Sequence, residues 1–439
     1  MNAPPLPRWL IPRLPFFYGW IVLACACCAG LSRQGGAVAT LSVFVAPMTQ
    51  EFGWSRTAIS GAVSLGGILA AILSPMLGRI LDREGARIVL CLAVLTTGLA
   101  DIALAWTLSL PMFYALFCVA RLNFAGPFDL GIYGAVNNWF VARRSIANAI
   151  ATVGQMAGLV SLPMIASIAM ANGGWSAGWL AIGITVLVVG FVPVYLLMVR
   201  RPEDVGLTPD GGYVAVPETG AAATPEPAFT RAEALRTRSF WLLSLFTLLA
   251  YPVQAGVSLH QAPFLIERGL APTAAASIVS YFSLMSGVAS FGFGFLPRRV
   301  TVRWKLALVG ALSCAGTLLY GFVHAAPAAY LAATFFGLGI GGLLIMLPVA
   351  WADYFGRRSY GAIRGLALTV QVLAQASGPL LSGVLRDATG GYEMALTCFA
   401  VLSGLSILAG LLARPPVIAR PIESRPNHAH IAPRQGEPR

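Results

Sequence analysis

The sequence predicts an all-α integral membrane protein in which twelve transmembrane helices form two pseudo-symmetric six-helix bundles. Hydrophobic residues make up 57% of the 439 residues and charged residues only 10%, whereas a soluble domain carries about 25% charged residues. Crossing a bilayer takes about 20 apolar residues of helix, and twelve segments of the chain meet that length. The predicted spans are 17–45, 57–78, 88–108, 111–139, 146–170, 175–199, 239–265, 273–296, 304–324, 327–352, 361–385 and 393–413.

The two halves of the chain repeat each other weakly. An aromatic pair followed within a few residues by two arginines comes after the fourth predicted span, at 139–144, and again after the tenth, at 354–358. Aromatic residues favour the membrane interface and arginines favour the cytoplasm. The repeat divides the chain into a cytoplasmic N-terminus (1–16), a first bundle (17–199), a flexible cytoplasmic linker (200–238), a second bundle (239–413) and a disordered cytoplasmic tail (414–439).

The positive charges are distributed asymmetrically about the predicted membrane. Among the 29 Lys and Arg residues, Arg33 and Arg121 lie inside spans, and Arg56, Arg268 and Arg386 lie on one side. The remainder fall on the other side, which by the positive-inside rule is the cytoplasm. We therefore expect a multi-pass protein of the cell inner membrane with both termini cytoplasmic. Its basic surface would face anionic lipid headgroups, so nucleic acid is not an expected partner.

Metal and nucleotide chemistry have no support in the sequence. The cysteines lie in apolar runs, and the cluster Cys25-x-Cys27-Cys28 has no His or acidic residue beside it. The chain also lacks the Gly-x4-Gly-Lys-Ser/Thr loop that binds nucleotide phosphates. We therefore expect no metal site, no cofactor and no ATP-driven step.

The segment Gly78-Arg79-Ile80-Leu81-Asp82-Arg83-Glu84-Gly85-Ala86-Arg87 joins the second and third spans. It resembles the signature loop of the major facilitator superfamily. Glycine permits tight turns and close packing, and the aspartate can cap a helix end in the other half. The corresponding segment after the eighth span, 294–299, lacks the aspartate, which predicts an asymmetric cytoplasmic gate. We assign to this gate Gly78, Asp82, Arg83, Gly85, Arg87, Arg143, Arg144 and Asp353, the last paired with a nearby arginine.

A narrower resemblance covers most of the chain. Its features are Tyr18-Gly19-Trp20, Phe52-Gly53-Trp54-Ser55-Arg56, the segment 201–211 and Gly378-Pro379. Together they are similar to the bacterial monocarboxylate-transporter-like and oxalate/formate-antiporter-like branch. This resemblance implies a monomeric secondary active transporter, not an enzyme, which moves a small organic anion by alternating access. A monocarboxylate with proton coupling is the first expectation. An efflux carrier for drugs or other organic solutes is the alternative.

Four charged residues lie well inside predicted spans: Arg33, Asp101, Arg121 and Asp129. A charge there costs about 2.5–3.5 kcal/mol on insertion scales, so each needs a reason. Arg33 and Arg121 are expected near the midplane, where planar guanidinium groups match a carboxylate. Arg121 also resembles an arginine that is partly structural in many drug/proton antiporters. For Asp129 two roles stay open, a proton carrier or a structural ion pair, and for Asp101 we favour a packing role.

The second half is expected to line the site with neutral hydrogen-bonding groups. Carriers of the resembled branch place a cation in span 8, and the oxalate type places another in span 11. Our interpretation finds neither here, so Arg33 and Arg121 would hold the anion with neutral side chains orienting it. The neutral residues assigned to the site are Tyr251, Gln254, Tyr281, Gln371 and Gln375.

Overall fold

The computed structural model describes residues 5–212, 227–297 and 299–416 and contains helices but no strand within these ranges. We number the membrane spans 1 to 12. The first half contains Gly19–Arg33 and Val38–Phe52 (span 1), Arg56–Glu84 (span 2), Ala86–Leu104 (span 3), Leu110–Ala125 and Pro127–Trp139 (span 4), and Arg144–Val186, Leu187–Phe191 and Val192–Leu197 (spans 5 and 6).

The second half has one unbroken helix for each span. These helices are Arg238–Glu267 (span 7), Pro272–Gly294 (span 8), Val302–Gly321 (span 9), Ala326–Phe355 (span 10), Tyr360–Thr389 (span 11) and Glu393–Leu412 (span 12). Short helical segments outside the spans are Pro5–Leu10, Ile11–Arg13, Pro202–Val205, Pro209–Gly212 and Arg231–Arg236.

The described residues contain eleven long apolar helical segments, and these provide twelve crossings. One segment, Arg144–Leu197, is 54 residues long. Gly173 and Gly174 interrupt it with non-helical backbone angles, and Gly174 has a φ of 69°. This is where the sequence predicts the turn between spans 5 and 6. The all-α, multi-pass fold is therefore confirmed.

Two loops differ from the sequence prediction. The helix of span 1 continues through Pro47 to Phe52, so the segment from Ala46 to Arg56 is mostly helical. Span 2 continues to Glu84, so most of the signature segment is also helical. The turn into span 3 is made at Gly85, whose φ of 88° favours glycine.

Three spans depart from regular α-helix. Span 1 breaks at the 3-10 segment Gln34–Gly36, directly after Arg33, and resumes after the extended residue Ala37. Span 4 breaks at Gly126, before a second helix that begins at Pro127. Span 6 contains the π-helix Leu187–Phe191, and such segments are rare and often occur at functional sites.

We call the ends of the spans beside residues 5–18, 140–143, 200–212 and 355–359 the linker side, and the opposite ends the far side. The two halves pack against each other mainly as span 2 against span 11 and span 5 against span 8. Glycine allows the close approach in both pairs, since a Cβ at Gly78 would collide with the carbonyl of Gly361. A Cβ at Gly294 would lie 2.7 Å from Cβ of Ala149.

The linker is fastened to the bundle where the structure describes it. Asp210, which has a φ of 55°, accepts hydrogen bonds from the backbone N–H groups of Val141 (2.7 Å), Ala142 (2.6 Å) and Arg143 (3.1 Å). Further along, Thr230 and Glu233 form a capping box for the helix that begins at Arg231. The middle of the predicted flexible linker (213–226) and nearly all of the predicted disordered tail (417–439) lie outside the described residues.

Candidate substrate site and linker-side gate

Asp129 lies between two arginines from different halves of the protein. Its Oδ1 is 3.1 Å from Nη2 of Arg364 on span 11, and its Oδ2 is 3.6 Å from Nη2 of Arg33 on span 1. The Asp129 and Arg364 side chains are 6% and 1% exposed. Asp129 lies in the first turn of the helix that begins at Pro127, so its carboxylate is also close to the favourable N-terminal end of a helix.

Arg33 is held in place by hydrogen bonds from two of its guanidinium nitrogens. Nε donates to the carbonyl of Phe124 at 2.9 Å, and Nη1 donates to Oε1 of Gln155 at 2.6 Å. Gln155 in turn donates to the hydroxyl of Tyr133 at 3.3 Å. Since Arg33 is the last residue before the break in span 1, these contacts also fix the position of that break.

Arg121 lies beside the same aromatic ring as Arg33. The guanidinium carbons of Arg33 and Arg121 are 4.5 Å and 4.6 Å from the ring centroid of Phe124. Arg121 donates one long hydrogen bond of 3.5 Å to the carbonyl of Gly36. The two arginines predicted to bind an anion therefore lie around one side chain, where cation–π attraction offsets part of their mutual repulsion.

Arg364 corrects the expectation that spans 8 and 11 contribute no cation. Counting it with the cytoplasmic arginines was wrong, because it lies inside span 11 and is 1% exposed. Its Nη2 also donates to Oε1 of Gln371 at 2.7 Å, two turns further along the same face of the helix. The cluster therefore draws a charged residue from the second half.

The cluster formed by Arg33, Arg121, Asp129 and Arg364 has a surplus of two positive charges. Its hydrogen bonds are also incomplete, because Nε of Arg121 and both Nε and Nη1 of Arg364 are buried without a partner among the described residues. Buried donors are normally satisfied, and leaving one unpaired is costly. An anion with hydrogen-bond acceptors would satisfy these donors, and the surplus of positive charge would attract it.

The predicted neutral residues do not all reach this cluster. Gln371 accepts from Arg364, and the buried hydroxyl of Tyr251 interacts electrostatically with Arg364, Asp129 and Arg33. Gln375, one helical turn beyond Gln371, donates to Oε1 of Gln254 at 3.2 Å.

Tyr281 has different surroundings. Its hydroxyl accepts from Thr334 of span 10 at 3.1 Å, and its ring packs edge-on against Tyr330. These contacts of Tyr281 thus lie within spans 8 and 10, away from the arginine cluster.

Asp82 joins the halves on the linker side. Its two carboxylate oxygens accept from the backbone N–H groups of Gly361 (2.8 Å) and Ala362 (2.7 Å). These amides belong to the first turn of span 11, where the unpaired N–H groups and the helix dipole favour a negative charge. Asp82 therefore caps a helix of the opposite half, and Arg364 follows two residues after that cap.

Two arginines cross between the halves in a reciprocal arrangement. Arg144, after span 4, pairs with Asp353 at the end of span 10 at 2.6 Å. Arg357, after span 10, donates to the carbonyl of Asn138 at the end of span 4 at 3.2 Å and pairs with Glu203 of the linker at 2.5 Å. The repeated sequence motif thus contributes one contact in each direction.

The remaining gate residues lie around this interface. Arg87 donates to the carbonyl of Tyr195 at 2.8 Å and packs over its ring, within the first half. Arg83 is exposed. The backbone of Arg143 is bonded to Asp210, and Gly78 and Gly85 provide the close helix contact and the turn described above.

Family comparison agrees with this architecture. The family model described as "Major Facilitator Superfamily" matches residues 22–268 and 255–437. The chain belongs to the major facilitator superfamily. Its relatives include human monocarboxylate transporter 11, 26% identical over 90% of this chain and 81% of the relative. The oxalate:formate antiporter of Oxalobacter formigenes is 24% identical over 85% of this chain and 88% of the relative.

Solved structures show the same fold. The major facilitator transporter FucP in its outward conformation matches with a TM-score of 0.68, at 12% identity over 90% of this chain and 99% of FucP. Together with the family model and the named relatives, this fold identifies a membrane transporter of the superfamily rather than an enzyme.

Sequence reasoning about this major facilitator protein missed several residues that complete the site. Arg364 is the fourth residue of the predicted span 361–385, where proximity to the arginine pair at 357–358 obscured it. Gln155 and Phe124, which hold Arg33, carry no charge and so gave no signal against an apolar background. Asp210 was recognised only as part of a motif, and its positive φ is a property of the folded chain.

Proposed function

We propose that this protein is a secondary active transporter that moves a small organic anion, most directly a monocarboxylate, across the cell inner membrane with protons. The observation that carries the proposal is the buried cluster of three arginines and one aspartate with unpartnered guanidinium donors. Guanidinium groups bind carboxylates through paired, charge-assisted hydrogen bonds. The relatives named as a monocarboxylate transporter and an oxalate:formate antiporter support an anionic substrate.

Asp129 offers a direct route to proton coupling. In the structure it is the only carboxylate among the described residues that pairs with Arg33 or Arg364. A substrate carboxylate competes for the same guanidinium groups. When the substrate takes them, Asp129 loses its counter-charges and gains a proton, since an unpaired buried carboxylate is unfavourable. Each anion would then enter the site together with a proton.

The inter-half contacts fit one end of an alternating-access cycle. Asp82, Arg144 and Arg357 hold the halves together on the linker side. The arginine distribution assigns that side, with both termini, to the cytoplasm. We therefore assign the structure to a cytoplasm-closed state of a monomeric carrier, in which the halves rock about the Asp129–Arg364 pair.

The test is transport by purified protein in proteoliposomes. Short monocarboxylates, a dicarboxylate, amines and neutral amphiphiles would be offered with and without an inward proton gradient. We expect accumulation of a carboxylate that depends on the gradient and is lost in Arg33→Gln and Arg121→Gln. Arg8→Gln, at an exposed arginine of the N-terminal segment outside both the cluster and the gate, is the matched control and should transport normally. Transport of amines or neutral amphiphiles without any carboxylate would overturn the proposal in favour of an efflux carrier.

A further inference from the structure

Asp101 in span 3 is a buried acid that the proposed site does not use. The residue is 0% exposed. Neither of its carboxyl oxygens has a hydrogen-bond partner among the residues that the structure describes. Packing alone does not account for an acid at this position, because an apolar side chain would fill the same space without a desolvation cost.

The carboxyl group of Asp101 packs against the break in span 1. A Cβ at Gly35 would collide with Oδ2 of Asp101 and would lie 3.3 Å from methyl groups of Thr97 and Val186. Gly35 is the middle residue of the 3-10 segment that follows Arg33. The absence of a side chain at Gly35 is what allows the acid to touch this segment.

A second helix irregularity lies beside the same acid. Val186 directly precedes the π-helix Leu187–Phe191 of span 6. Span 3 packs closely on that π-helix, since a Cβ at Gly98 would lie 2.5 Å from Cγ of Leu187. Asp101 thus lies where spans 1, 3 and 6 meet and where two of the three have irregular backbone.

The charged groups on the neighbouring spans face elsewhere. Asp129 pairs with Arg33 and with Arg364, and Arg121 donates to the carbonyl of Gly36. On span 6 the titratable side chain is Tyr195, which lies at the linker end against Arg87. The acids and arginines of span 2 whose side chains are described also lie at its linker end, from Arg79 onward. Because no described cation pairs with Asp101, the ionised form would be unfavourable and the acid is neutral here.

We propose that Asp101 is a second proton-binding group of the transporter, protonated while the linker side is closed. Release of its proton to water would require spans 1, 3 and 6 to separate at Gln34–Gly36, which also moves Arg33. The proposal rests on the proposed function, since it concerns the same transport cycle. With one proton on Asp129 and another on Asp101, each monovalent anion is accompanied by two protons, and each cycle moves one net positive charge.

The experiment compares wild type with Asp101→Asn in proteoliposomes loaded to set the membrane potential, using the monocarboxylate identified in the transport assay. We expect wild-type uptake to be accelerated by an inside-negative potential at equal pH. Asp101→Asn, a neutral isostere of the protonated acid, should lose this voltage dependence and keep uptake driven by a pH gradient. At zero membrane potential, the limiting accumulation of the monocarboxylate per pH unit should be about 100-fold for wild type and about tenfold for Asp101→Asn. The reason is that each coupled proton contributes a factor of about ten.

Other outcomes are also decisive. Wild-type carboxylate transport without voltage dependence, or an Asp101→Asn variant that keeps it, would overturn the second proton site and leave the proposed function intact. Wild-type protein that transports no carboxylate would overturn both. If Asp101→Asn does not fold, Asp101→Ser serves as the neutral variant, and the wild-type voltage response still tests the proposal. Asp129→Asn is the contrasting control, because it should abolish net uptake under either driving force.

Discussion

Asp129 of span 4 and Arg364 of span 11 form an ion pair across the interface between the two halves, with 3.1 Å between Oδ1 and Nη2. Arg33, on the other side of the same carboxylate, belongs to the first half. The proposed substrate site and the interface between the halves therefore share one carboxylate. A ligand that competes for these arginines changes the contact between the halves, which is what coupling of binding to rocking requires.

Replacing Arg364 by Gln should remove carboxylate binding. The change deletes one of two cations beside Asp129 and two unpartnered donors, while Arg33 still balances the aspartate. Breaking a buried ion pair costs about 3–5 kcal/mol, and the remaining partner should hold the loss of stability to the lower end. Thermal stability measured with and without carboxylate would show a lower melting temperature and no ligand-induced rise. Arg364→Lys keeps the charge but lacks the planar guanidinium, so it should bind the carboxylate weakly. Equal carboxylate affinity in wild type, Arg364→Gln and Arg364→Lys would contradict the assignment.

Replacing Asp129 by Asn should separate exchange from net transport. The asparagine is neutral, so in the empty carrier no negative charge faces Arg33 and Arg364, and the empty carrier cannot change from one open state to the other. In the loaded carrier the substrate carboxylate faces these arginines, and the change can occur. We expect counterflow of labelled for unlabelled carboxylate to continue while proton-driven accumulation falls to background. Both activities would be followed in the same vesicles. Proton-driven accumulation at the wild-type level would exclude Asp129 as the proton carrier.

The fold was predictable because its dominant cause is visible in composition. Twelve apolar segments of sufficient length are typical of membrane helices, and the arginine asymmetry predicts their orientation. Helix ends were less predictable, because the signature segment reads as a charged loop. In the structure its residues continue span 2 as far as Glu84, where Asp82 finds partners in the other half. Those partners are set by tertiary structure and have no local signal.

The site was predictable in part, according to how each residue reveals itself. Arg33, Arg121 and Asp129 stand out as charges in apolar runs, and the structure brings them to one place. Arg364 did not stand out, because depth in a bilayer cannot be read from a residue four positions into a span. Tyr281 illustrates the opposite error. It was assigned to the site because it is polar, but its hydroxyl bonds to Thr334 instead.

Replacing Asp82 by Asn should loosen the linker-side contact. The carboxylate accepts from two backbone amides of span 11, and hydrogen bonds to charged groups contribute about 1.5–3 kcal/mol each. Hydrogen exchange at Gly361 and Ala362 should accelerate by roughly 10- to 100-fold if one such contribution is lost. Glu84→Gln, the same acid-to-amide change at an exposed residue two positions further along the helix, is the control and should leave these amides protected. Unchanged protection in Asp82→Asn would mean that this cap does not hold the gate.

Asp210 should stabilise the protein through its carboxylate and through its backbone angle, and three substitutions separate the two effects. Asn retains one acceptor and tolerates positive φ, Gly tolerates positive φ without an acceptor, and Ala has neither property. We expect the melting temperature to fall in the order Asp, Asn, Gly, Ala, with Ala losing about 1–3 kcal/mol from the unpaired amides and more from strain. The amides of 141–143 should exchange faster in the same order. Because this loop leads into Arg144, which pairs with Asp353, the linker-side contact should weaken in parallel. Equal stability of the Asn, Gly and Ala variants would show that the carboxylate and the backbone angle of Asp210 do not anchor the linker.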